Sequence, residues 1–158
     1  VKSLARPEAN VTGVSNATVE LVGKRLQFLK DLLPRARRFA VLINPNDENA
    51  SRQMANATTT AMALGVELVP VVEIQSAGDL DGAFARIAAS GADAALRMVD
   101  PLTAMIRPAI QQTAARHRVP VMYAFREDVL QGGLIGYGAS QAELYRQAAR
   151  LVHRLLQG

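Results

Sequence analysis

The sequence contains no cysteine and no tryptophan, only two histidines, and seven aromatic residues, four Phe and three Tyr, among 158. The first absence excludes disulfides and thiolate metal sites. Two histidines, His117 and His153, do not make a metal centre, and no cofactor motif appears. No apolar run approaches the roughly 18 residues that mark a membrane-spanning helix. The opening Val1-Lys2-Ser3-Leu4-Ala5-Arg6-Pro7 lacks the apolar region of a secretory signal. Four Asn-x-Ser/Thr triplets, at Asn10, Asn16, Asn49 and Asn56, read as chance in a chain of this composition.

What is present is a hydrophobic content of 49%, enough to bury one core in one domain, and a formal net charge of +4. The basic residues do not suggest nucleic acid. Arg35, Arg37 and Arg38 are expected to close the first helix, and Arg116, His117 and Arg118 a later one, where cations complement the helix dipole. No aromatic residues interleave with them to stack bases.

Along the chain, apolar runs alternate with helical patterns. Val11–Val14 is a short apolar run. Leu21, Val22, Leu26, Leu29, Leu32 and Leu33 repeat at helical spacing up to Pro34. Strands are expected at 39–43, 66–74, 92–99, 119–125 and 134–137. Helices are expected at about 48–64, from the Ser76–Asp79 cap to 89, at 101–117, and from the Ser140/Glu143 capping box onward, with a short helical turn at 127–130. Asp100-Pro101 combines an N-cap with proline at the first helical position. This alternation implies a doubly wound three-layer α/β sandwich with a mostly parallel five-stranded sheet.

In such sheets ligands collect at the loops after the strands' carboxyl ends. Those loops hold Asn44, Asn46, Asp47 and Glu48, then Glu73, Gln75 and Ser76, then Asp100, then Tyr123, Phe125 and Arg126, then Tyr137 and Ser140. Arg126 could pair a carboxylate, Asp100 could accept from an ammonium, and the tyrosines could form flat walls. Each also has a plainer reading. Asp100 could only cap a helix, Tyr123 could be core packing, Asn44 could be a turn residue, and Arg126 could pair with Glu127 or Asp128. Catalytic signals are weak, since no G-x-S-x-G elbow and no Walker loop occur. A phosphoacceptor receiver or flavodoxin-like domain shares the architecture, and Asp47, Glu48 and Asp100 could mimic its acids. A lysine would then be expected where Tyr137-Gly138 stands.

Several segments taken in order carry a family resemblance. They are Ser3–Pro7, Asn10–Ser15, Gly23-Lys24-Arg25-Leu26, Val41–Pro45, Asp100-Pro101-Leu102, Arg118-Val119-Pro120 through Arg126-Glu127, and Gly132-Gly133-Leu134 through Tyr137-Gly138. With these the chain resembles the second lobe of the ABC-transporter substrate-binding proteins of tryptophan and tyrosine type, which have the type I periplasmic-binding fold. It departs from that pattern at Glu8-Ala9, where a glycine pair is usual, and at Gly136, where a serine is. The resemblance implies a non-enzymatic, periplasmic or otherwise extracytoplasmic solute receptor that works with an ABC permease. It implies a small organic solute such as an amino acid, bound by Asn44, Asn46, Asp100, Tyr123, Arg126 and Tyr137, with no cofactor. Residues 1–158 would form one lobe, with 1–16 and 139–158 as crossover segments of a two-lobe parent. The terminal helix would then lack its usual neighbour and could pair two copies. The effector-sensing domain of a LacI-like regulator is the alternative on the same fold.

Overall fold

The apolar runs within 39–43, 94–97 and 121–123 become strands buried on both faces. The structure, a computed structural model, describes residues 12–157. Helix α1 (Val22–Leu32) leads into β1 (Arg38–Ile43), followed by α2 (Ala50–Leu64) and β2 (Glu67–Glu73). A 3-10 turn at Ala77–Asp79 opens α3 (Leu80–Ser90), then come β3 (Ala94–Arg97), α4 (Pro101–Met105), α5 (Arg107–His117) and β4 (Val121–Tyr123). The chain ends with α6 (Arg126–Leu130), β5 (Ile135–Gly136) and α7 (Gln141–Gln157). All four strand pairings are parallel, in the order β2-β1-β3-β4-β5. β2 is an edge strand, the position in a sheet that tolerates Pro70.

Alternation along the strands divides the core into two layers. Phe39, Val41, Ile43, Leu96 and Met122 face one side, under Val22, Leu26 and Leu29 of α1 and the alanines of α2. Leu42, Ala95, Val121 and Tyr123 face the other, under Phe84 and Ile87 of α3 and Ile110 of α5. The result is the three-layer α/β sandwich expected from the alternation.

Local departures have identifiable causes. The helix expected over 101–117 divides at Ile106, because Pro108 lacks an N–H and its ring crowds the preceding turn. Arg35, Arg37 and Arg38 do not close α1, which ends at Leu32. Lys30 in its last turn instead pins the turn that follows, donating to the carbonyls of Pro34 and Ala36 at 2.8 Å each. The backbone N–H groups of Arg37 and Arg38 donate to Asp93. Of the apolar run at Val11–Val14, Val11 lies outside the described residues and Thr12–Val14 is irregular. Half of the Ser140/Glu143 box forms. The Glu143 N–H donates to Ser140 Oγ at 3.4 Å, while the Ser140 hydroxyl donates to Glu127.

Helix α7 has no buried residue. Leu144, Ala148 and Leu151 are half-covered, while Tyr145, Val152, Leu155 and Leu156 are exposed. Among the described residues, no helix is long and apolar enough to cross a membrane.

Candidate ligand-binding edge

The strand order reverses between β1 and β3, so the crevice beyond their carboxyl ends is the topological switch point. Asn44 follows β1 and Asp100 follows β3 by three residues. The Asn44 side-chain amide donates to Asp100 Oδ1 at 3.0 Å. Asn44 Oδ1 accepts from the Asn46 N–H at 3.0 Å, fixing the turn that Pro45 opens. Asn44 is thus both a turn residue and a side chain presented at the crevice.

Asp100 is only 5% exposed and heavily engaged. Oδ1 also accepts the Thr103 N–H at 3.1 Å, the cap of α4, and Oδ2 accepts the Thr103 hydroxyl at 2.6 Å. That leaves it little capacity for an ammonium. Beside it, burial raises the Asp47 carboxyl above its ordinary value, against a bond from the Asn49 N–H, and the charges of Asp100 and Glu48 add to the rise. Gln53 of α2 completes the crevice floor. Its Nε2 donates to the Val99 carbonyl at 2.8 Å, and its Oε1 accepts the Val99 N–H at 2.9 Å.

A buried network extends from Thr103 towards β5. Arg97, the last residue of β3, donates through Nη1 to Thr103 Oγ1 and through Nη2 to Asp128 Oδ2, each at 3.1 Å. Both partners of the Arg97–Asp128 pair are fully buried. Asp128 also accepts Arg107 at 2.9 Å and the Phe125 N–H at 3.1 Å, which ties α6 down. Burial lowers the pKa of Arg97, and Asp128 opposes that loss of charge. The Arg97 guanidinium lies 5.5 Å from the centroid of the Tyr123 ring. Tyr123 is itself 1% exposed, and burial pushes its hydroxyl up to about 12. Its side chain sits beneath the edge rather than on it.

Arg126 and Tyr137 are on the edge. Arg126 opens α6 and is exposed, with no hydrogen bond or ion pair among the described residues. Its acidic neighbours turn away from it. Asp128 is taken by Arg97 and Arg107, and Glu127 Oε1 accepts the Ser140 hydroxyl at 2.9 Å and the Ala142 N–H at 3.3 Å. Burial pushes Glu127 up, but bonds from its own N–H, Ser140, Ala142 and Gln141 outweigh it, and the carboxyl lies below its ordinary value. Tyr137 follows β5, is 37% exposed, and packs its ring 4.4 Å from that of Phe28. Adjacent strands are about 4.8 Å apart, so the edge from β1 to β5 spans about 14 Å, the scale of a small organic solute.

The residues expected after successive strands lie along one edge of the sheet, in two tiers. Asn44, Asn46, Arg126 and Tyr137 stand at the rim, with Asp100 and Tyr123 below. Arg25, Gln53, Arg97, Thr103, Arg107 and Asp128 support this edge and are not among the residues expected there. Three of these carried a visible signal. Arg25 interrupts the buried stripe Val22, Leu26, Leu29, Gln53 interrupts Ala50, Ala57, Ala61, and Arg97 stands in the apolar run Ala94–Met98.

A second hollow, about 480 Å³, lies between α5 and the Gly132–Leu134 turn, near the start of β4. Of its polar lining, the Gln111 amide is committed to the Asp128 carbonyl at 2.8 Å. Tyr123 also lines it, but Asn44, Asn46, Asp100, Arg126 and Tyr137 do not, and the carboxyl edge is the stronger candidate. No group of three or more His, Cys, Asp or Glu residues suited to a metal comes together among the described residues.

Comparison with known proteins agrees with this architecture. The ABC transporter substrate binding protein family model matches residues 1–158. A tyrosine-binding protein of Clostridioides difficile is 25% identical over all 158 residues, which correspond to 45% of its own length. A conserved domain protein of Vibrio cholerae superposes with a TM-score of 0.79 at 25% identity, over the whole chain and 52% of that protein. A Streptococcus ABC domain in complex with L-Trp superposes at 0.77 and 22% identity, over the whole chain and 54% of that domain. The chain spans about half the length of the relatives it matches. With a five-stranded parallel sheet whose polar residues gather at its switch-point edge, and a family match from end to end, the chain belongs to the ABC transporter substrate binding protein family.

Proposed function

We propose that this chain is one lobe of the extracytoplasmic solute receptor of an ABC importer, and that it holds an amino acid at the carboxyl edge of its sheet. The family match over residues 1–158 carries the reading. The tyrosine-binding relative and the L-Trp complex support an amino acid as ligand. Arg126, without a hydrogen-bond or ion-pair partner among the described residues, pairs the solute carboxylate. Tyr137 forms an apolar wall, and Asn44 with the Asn46 turn supplies hydrogen bonds. Asp100 and Tyr123 act from below, the first by orienting Asn44 and the second by supporting Arg97. The chemistry is binding and presentation to a permease, without turnover.

Type I receptors close two lobes around a ligand. Residues 1–16 and 139–158 are proposed as the crossover segments between such lobes. In the 158-residue chain by itself, the open face of α7 pairs with a second copy.

A thermal-shift screen against amino acids and small carboxylates tests the reading. A ligand that binds only the folded state, present at 100 times its Kd, adds about 2.7 kcal/mol. The expected result is a shift with one class of amino acid, abolished in Arg126→Ala and in Tyr137→Ala. No shift with any of them at millimolar concentration overturns the claim that this lobe alone holds a working half-site.

A further inference from the structure

Arg25 sits on the buried face of α1, 1% exposed, between Val22 and Leu26. Among the described residues no carboxylate pairs with it directly; Asp128 acts on it only through its charge. Its guanidinium instead holds two stretches of backbone that are far apart in sequence. Nη1 donates to the Thr18 carbonyl at 3.2 Å, where the chain enters α1. Nε donates to the Tyr137 carbonyl at 3.0 Å, 112 residues later, where the chain leaves β5. Phe28, one turn further along the same helix, packs its ring on that of Tyr137. α1 therefore grips Tyr137 twice, by its main chain and by its ring. The next residue, Gly138, runs so close to the end of β4 that a Cβ there would strike the Ala124 carbonyl oxygen.

We infer that Arg25 is the positioning residue of the binding edge. It fixes where Tyr137 stands, and it joins the segment entering the lobe to the segment leaving it through one guanidinium. The functional half of this inference rests on the carboxyl edge being where the solute binds. The assignment needs arginine, because a planar fork reaches two carbonyls from one rigid group, whereas an ammonium is a single point at the end of a flexible stem.

Amide hydrogen exchange on the 158-residue chain tests it with no ligand present. The reporters are the Tyr137 N–H, which donates to the Tyr123 carbonyl, and the Leu21 N–H, which donates to the Ala17 carbonyl. In Arg25→Lys and Arg25→Met both should exchange at least about tenfold faster, with β1 and β3 amides unchanged. Asp93→Ala, which releases Arg37 and Arg38 elsewhere on the sheet, should leave the Tyr137 amide at its wild-type rate. If Arg25→Met does not fold, Arg25→Lys decides by the same comparison. Wild-type exchange at Tyr137 in Arg25→Lys, or an equal rise throughout the sheet, overturns the inference. The exchange result stands even if no solute is found. Where a solute is found, Arg25→Lys should weaken it at least about tenfold. Unchanged affinity would overturn the positioning role and leave the binding edge intact.

Discussion

Asn44 and Asp100, 56 residues apart, are joined side chain to side chain at 3.0 Å across the switch point of the sheet. Asp100 spends most of its capacity on Asn44 and Thr103, so its removal should act on stability. Asp100→Ala loses a helix cap and strands buried donors, a cost of about 2–4 kcal/mol. Asn44→Ala should cost less, about 1–2 kcal/mol, since it removes two hydrogen bonds, one of them exposed to solvent. Urea unfolding of the two variants gives the comparison, and an equal loss in both would refute the division of roles.

Asp128 should be the most sensitive charged position. Asp128→Ala leaves Arg97 buried without a counter-charge and Arg107 without its carboxylate, and breaking such a pair costs about 3–5 kcal/mol. The expected signature is a large fall in urea midpoint, with the α6 amides among the first to exchange.

Gly138→Ala should destabilise by about 1–3 kcal/mol, because the added methyl must displace the end of β4. Gly13→Ala, where a Cβ would meet nothing, is the control. Melting temperatures of the pair decide it.

Acid should loosen α7. The Glu127 carboxyl lies below its ordinary value in the folded chain, and it accepts bonds from the first turn of that helix. A carboxyl depressed in this way contributes stability that is present above its unfolded pKa, about 4.3, and lost as pH falls through the folded value. The protection factor at Ala142, the exchange rate corrected for the intrinsic slowing of amide exchange in acid, should therefore fall below about pH 4.3, and Glu127→Gln should show the low protection already at neutral pH.

The exposed stripe on α7 yields a mass prediction. Light scattering of the 158-residue chain at high concentration should give twice the chain mass, and Leu151→Glu with Leu155→Glu should give the single chain. A monomeric wild type would refute pairing through this helix.

The fold was legible because apolar runs and helical stripes alternate without interruption, and because Gly65, Pro101 and the Ser76–Asp79 cap mark element ends by local chemistry. The rim of the candidate site follows for a related reason, since topology alone brings the residues after successive strands to one edge. The supporting tier was not. Arg97 needs Asp128, and Arg25 needs the Tyr137 carbonyl. Partners so distant in sequence appear only once the chain is folded, and a lone polar residue in an apolar stripe does not say what it meets. The break at Ile106 was within reach, because Pro108 already forbids an unbroken helix.

Gln53 has a consequence for binding rate. By exchanging two hydrogen bonds with Val99, its amide acts as a one-residue surrogate strand and carries the ladder past the end of β3. The backbone leading to Asp100 is therefore held in place by the chain's own hydrogen bonds. On the proposed reading, an arriving solute need not order that side of its site, so association there should run close to the speed of encounter, and selectivity should be expressed in how slowly the solute leaves.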